Sequence, residues 1–174
     1  ALKMAVIHDL GEAVVGDIPA FLVKDATAKK KKQELEEGAF KSISESLGNE
    51  ELFELWKEFE EGISYEAQYV RALDRLEMQI QHNQSDLSTW LDIEKKRMFL
   101  GQLHVCQFDK GILQFAEMIR EKSIEKLQAG GEDVEALQAW LDEHGYEACC
   151  REVGFKVASY EQSDTASLPK TTVS

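Results

Sequence analysis

The chain has 174 residues, 43% hydrophobic and 30% charged, with a formal net charge of −13. Such a length supports one domain with its own core, and the composition is ordinary for a globular protein. The charge excludes a nucleic-acid polymer as partner, because no cationic surplus exists to release counterions. Cys106, Cys149 and Cys150 form neither a Cys-x-x-Cys pair nor an even framework, so they read as free thiols in a reducing compartment. No run reaches the roughly 18 apolar residues of a bilayer span, and the apolar start lacks the basic flank and cleavage site of a signal peptide. A cytoplasmic protein with no membrane partner is expected. Two prolines and long runs of Ala, Leu, Glu, Lys and Gln point to an all-α fold.

From the start, Ala1 to Ile7 carries one charge, Lys3, among apolar residues, the pattern of a helix buried on nearly all sides. His8 and Asp9 follow, with Glu12 at i+4 from His8 and Asp17 just beyond Gly16. A continuous helix would place Glu12 beside His8. A buried carboxylate needs a partner or a metal, and imidazole with carboxylates suits a divalent transition ion. A hydrogen-bonded helix end with Glu12 and Asp17 in solvent is the commoner meaning of a bare His-Asp pair, but the apolar approach, Glu12 one turn on and Gly16-Asp17 point here to a metal site. The chain enters this helix with Ala and no capping residue, so a preceding segment is expected to be missing.

Gly16 to Pro19 breaks the first helix. Ala26 to Leu47 predicts a long helix with Leu35, Ala39, Ile43 and Leu47 spaced by four, ending at Gly48. Its Lys29 to Lys32 run, followed by Glu34, Glu36 and Glu37, reads as a solvated face. Asn49 caps a helix from Glu50 to Glu61 with Leu52, Leu55, Trp56 and Phe59 on one stripe, closed by Gly62. Ser64 caps the next, to about Gln81, whose inward side is read as Val70, Leu73, Leu76, Glu77 and Ile80. Asp74 falls on that apolar side, where an ionisable group is costly unless paired. A salt bridge to Arg71 or Arg75 is one reading of it. Trp90 to Leu103, Phe108 to Leu127 and a stretch from Val134 to near Gly145 predict further helices. Residues 1–157 read as the domain and 158–174, rich in Ser, Thr and Lys, as a disordered tail. His82, two turns past Asp74, reads as a polar helix end, His104 and His144 have no carboxylate arrangement that ties them to a site, and Cys149-Cys150 reads as packing.

The run His8-Asp9-(x2)-Glu12-(x3)-Gly16-Asp17-Ile18-Pro19 resembles the metal-binding segment of HD-domain phosphohydrolases, and most closely their 5'-deoxynucleotidase branch. Val70-Arg71-Ala72-Leu73-Asp74-Arg75-Leu76-Glu77 resembles the distant helix that closes the family's metal site. The resemblance covers roughly Ala1 to Gln81. It implies an HD-domain-like helical bundle with His8, Asp9 and Asp74 as ligands of a divalent ion, Mn, Co or Mg. The family's first ligand, a His on an upstream helix, has no counterpart here. It further implies hydrolysis of a 5'-deoxyribonucleoside monophosphate to nucleoside and phosphate, and a homodimer. Glu12 is assigned the general acid/base role, and Asp17 the orienting of water, substrate or a ligand-supporting donor. Action on another nucleotide or phosphomonoester, and a non-catalytic helical scaffold, are the competing readings.

Overall fold

The computed structural model describes residues 1–16 and 26–155, and among these the regular elements are all helical. In chain order they are α1 (Leu2–Ile7), α2 (Glu12–Val15), α3 (Ala26–Leu47), α4 (Glu50–Glu61) and α5 (Tyr65–Gln84), then a 3₁₀ turn (Leu87–Thr89). There follow α6 (Asp92–Leu100), α7 (Leu103–Cys106), α8 (Lys110–Ala129), α9 (Val134–His144) and α10 (Tyr146–Glu152). Asp17 and the expected tail, 158–174, lie outside the described residues.

Local chemistry sets many of these bounds. The Asn49 side chain accepts from the Glu51 amide and starts α4, and the Ser64 hydroxyl accepts from Ala67 and starts α5. Gly62 ends α4 in the left-handed conformation, at φ 63°. One predicted helix is cut short. The stretch from Trp90 to Leu103 holds α6 and only the first residue of α7, with a break at Gly101, whose φ of 71° disfavours a side chain and whose absent Cβ leaves room for Arg120 at 3.0 Å. Cys149 and Cys150 are fully buried in α10, a short helix the sequence pattern did not reveal.

Helices α5 and α8 form the frame. Tyr65 Oη donates to Asp109, Gln79 Nε2 to Ser123 Oγ at 2.8 Å, and Lys126 Nζ to the Asn83 carbonyl. This nearly constant offset means that the two helices run parallel. Ala72 and Leu76 of α5 pack with Ile112, Ala116 and Ile119 of α8 and with Leu103 and Cys106 of α7. A second core joins α6, α8 and α10 through Phe99, Leu127, Cys150 and Val153. At the other side of α5, two smaller clusters hold α1. Met4 packs with Phe59, Ala67 and Val70, and Ile7 packs with Phe40 and Trp56.

Two apolar stripes differ from expectation. In α1 only Met4 and Ile7 are buried, while Leu2 is 84% and Val6 74% exposed, so this helix is covered on one side. In α3 the buried row is Ala39, Phe40 and Ser44, whereas Leu35 and Leu47 are exposed and line an open groove of about 690 Å³ with Val14 and Ile43. In α5 Leu73 and Glu77 face outward, and Ala72, Leu76 and Gln79 take the inward positions.

Candidate metal centre

Met4 and Ile7, three residues apart, fix the roll of α1, and His8 follows at its C-terminal end. The imidazole lies against the Phe59 ring, with centroids 4.9 Å apart. Its Nδ1 is 2.9 Å from the Ala5 carbonyl, an acceptor only, so Nδ1 carries the proton and donates. That leaves Nε2 as the ring's lone-pair atom. Nε2 is 3.0 Å from Asp9 Oδ2 and 3.7 Å from Asp74 Oδ1, yet it is buried and aligned for a hydrogen bond with neither.

Asp74 reaches this point from α5. It stands one turn after buried Val70, which packs on Met4, and helical neighbours four apart share a face. Arg75 also touches it, at 3.8 Å, whereas Arg71 is spent on the Phe59 and Glu60 carbonyls. Ligand atoms of His8, Asp9 and Asp74 lie within 4.8 Å of one another, the one such group of His, Cys, Asp and Glu among the described residues.

The electrostatics are those of an imidazole whose acidic neighbours favour its charged form. Asp74 beside it raises the His8 pKa above its ordinary 6.5; burial opposes this, and Asp9 and the Ala5 carbonyl add to the rise. Burial works to raise the Asp74 carboxyl, but His8, Arg75 and Arg71 outweigh it and hold that pKa down. One buried nitrogen lone pair facing two carboxylates fits a divalent cation, and the Ala5 carbonyl behind the ring supplies the support that ligating histidines need.

Glu12 is not part of this cluster. The helix does not continue through it: Leu10 donates to the Ile7 carbonyl and Glu12 to Asp9, i→i−3 bonds of a tight turn between α1 and α2. The turn exists because Phe40 of α3 lies on Gly11, where a Cβ would sit 3.0 Å from its ring. Glu12 is carried instead toward α3, with Oε1 3.9 Å from Lys32 Nζ, and Lys32 also pairs with Glu36 at 3.2 Å. Thus the lysine run is only partly a solvated face. Sequence reading missed Lys32 and Glu36; the signal was their i, i+4, i+8 register with Phe40. Of the other histidines, His82 donates from the last turn of α5 to the Met78 carbonyl, and His104 stacks on Phe155.

Residues 1–110 match the HD domain family. The chain belongs to that family. Among its relatives is the 5'-deoxynucleotidase HDDC2 of Dictyostelium discoideum, 41% identical over 83 residues, which are 46% of this chain and 42% of that protein. The 5'-deoxynucleotidase HDDC2 of Mus musculus is 39% identical over 99 residues, 55% of this chain and 45% of that protein. That of Danio rerio is 33% identical over 139 residues, 75% of this chain and 65% of that protein. The chain thus spans less than half the length of the first two. No solved structure matches it. HD-domain membership accords with the all-helical architecture and with divalent metal use. No helix among the described residues is long and apolar enough to cross a membrane.

Proposed function

We propose that this HD domain is a metal-dependent phosphohydrolase that removes phosphate from 5'-deoxyribonucleoside monophosphates. The observation that carries the reading is the buried His8 Nε2, facing one carboxylate from the turn after α1 and one from α5. His8, Asp9 and Asp74 would hold the ion, Mn, Co or Mg. When bound, such an ion polarises a phosphoryl oxygen and lowers the pKa of its water towards neutrality. Ala5 keeps the imidazole in the tautomer that presents Nε2. Glu12, one short turn from Asp9, moves the proton as general acid/base, and Asp17 orients water or substrate. The printed names of the relatives support the substrate class. A cytoplasmic homodimer completes the proposal.

The test is phosphate release from a panel of deoxynucleoside, ribonucleoside and sugar monophosphates with each ion, on this chain and on Asp74→Ala. Release favouring the deoxynucleotides and lost in Asp74→Ala, at unchanged helical circular dichroism, is the expected outcome. Unchanged turnover in Asp74→Ala would remove that residue from the site. Equal turnover of all phosphomonoesters would refute the substrate class.

A further inference from the structure

Among the described residues, helix α3 forms two Lys-Glu ion pairs of the same i, i+4 spacing, and they face different ways. Lys30 and Glu34 are 3.7 Å apart with side chains 79% and 64% exposed, an ordinary solvated pair. Lys32 and Glu36 are 3.2 Å apart with side chains 24% and 17% exposed. Something other than helix stability turns the second pair inward. Lysine ahead of glutamate is the weaker order for such a pair, and half-burying charges is costly without a use for them.

The register of α3 supplies the use. Lys32, Glu36 and Phe40 are successive i+4 neighbours on one face. Phe40 is fully buried on Gly11, and the Glu36 carbonyl passes 3.6 Å from where a Gly11 Cβ would be. This close approach fixes the height of α3 against the turn that follows His8 and Asp9. Two helical turns up from Phe40, Lys32 Nζ meets Glu12, the residue after Gly11. Glu12 itself sits on a helix of four residues. We infer that Lys32, braced by Glu36, is the positioning residue that holds the Glu12 carboxylate on the α3 side of the turn that follows His8 and Asp9. The link runs from one helix to the other: Glu36 restrains the ammonium, and the ammonium restrains Glu12. The role of Glu12 rests on the function proposed above; the brace itself does not.

Two measurements on the full chain separate these. First, steady-state hydrolysis of a deoxynucleoside monophosphate with Mn²⁺ is compared among wild type, Lys32→Met and Lys32→Arg, with elemental analysis of each. Misplacing a proton-transfer group forfeits part of its contribution, so Lys32→Met should lose about tenfold in kcat with little change in KM and an unchanged metal equivalent. Lys32→Arg should recover most of the loss. A kcat in Lys32→Met equal to wild type, or loss of its metal, would overturn the positioning role. Second, urea midpoints of Lys32→Met, Glu12→Gln and the double variant form a cycle that needs no turnover. The brace requires the double variant to lose less than the two singles added together; strict additivity overturns it. Non-additivity in a chain that releases no phosphate would support the brace and refute the phosphohydrolase reading alone.

Discussion

Helix α7 carries a histidine whose protonation the fold resists. His104 is half-buried, its ring stacked on Phe155 at 4.7 Å and its Nδ1 3.5 Å from the Tyr146 hydroxyl. Burial, reinforced by the Arg75 guanidinium, pushes its pKa down to about 4 from the ordinary 6.5. Between those values the unfolded chain binds the extra proton, so stability rises with pH and is lost as pH falls from about 6.5 toward 4. One pKa unit corresponds to about 1.4 kcal/mol, which makes the complete loss about 3 kcal/mol and the part between pH 7 and pH 5 about 2 kcal/mol. Urea denaturation of wild type and His104→Gln at both pH values measures it. Glutamine sacrifices the stacking at either pH, so the comparison is of slopes and not of absolute stability. Wild type should lose about 2 kcal/mol more than His104→Gln on acidification. Parallel losses in the two proteins would refute a depressed His104.

Mn²⁺ at about 100 times its dissociation constant should stabilise the wild type by about 2.7 kcal/mol, reversibly with chelator, through binding only the folded state. A thermal melt of Asp74→Ala should show no such rise, and an equal rise would place the ion elsewhere. Gly11→Ala sets two effects against each other. The backbone there is helical (φ −60°, ψ −35°), so alanine gains about 0.4–1 kcal/mol from the unfolded chain; contact with Phe40 at 3.0 Å costs about 1–3 kcal/mol in overpacking. Net destabilisation near 1 kcal/mol is expected by urea titration, and a more stable variant would show that Phe40 yields freely. Ser123→Ala removes the hydroxyl that accepts from Gln79 and donates to Asn83, and should cost about 1–3 kcal/mol. An unchanged midpoint would mean that water takes its place.

What the sequence revealed was its punctuation. Asn49, Gly62 and Ser64 act through their own backbones or nearest neighbours, so α4 and the start of α5 could be bounded without tertiary information. Asp74 stood out as an ionisable group among apolar residues, but periodicity left it open between a salt bridge and a ligand, and only the resemblance singled it out. The turn from His8 to Gly11 was not legible, since its cause lies in Phe40, remote in the chain. The roll of α3 was hidden for a related reason. Leu35, Ala39, Ile43 and Leu47 form as regular a row as Lys32, Glu36 and Phe40, hydrophobicity alone selects the former, and of it the core takes only Ala39. Packing selected the row with one large aromatic and a charge pair, because Gly11 offers a socket for the ring and Glu12 a partner for the lysine. Gly101 looked like one small residue inside a helical run until Arg120 filled the space beside it.

Helix α5 serves two masters. Its Asp74 edge meets α1, while its opposite edge, Ala72, Leu76 and Gln79, is sealed by α7 and α8. Yet the stretch shared with the HD domain family stops at residue 110, where α8 begins. A fragment trimmed to that boundary would keep the ligand cluster and lay bare the back of the helix that presents Asp74, with Gln79 stripped of its Ser123 partner. The stretch that matches the HD domain family is therefore shorter than the packed unit that holds the helix presenting Asp74.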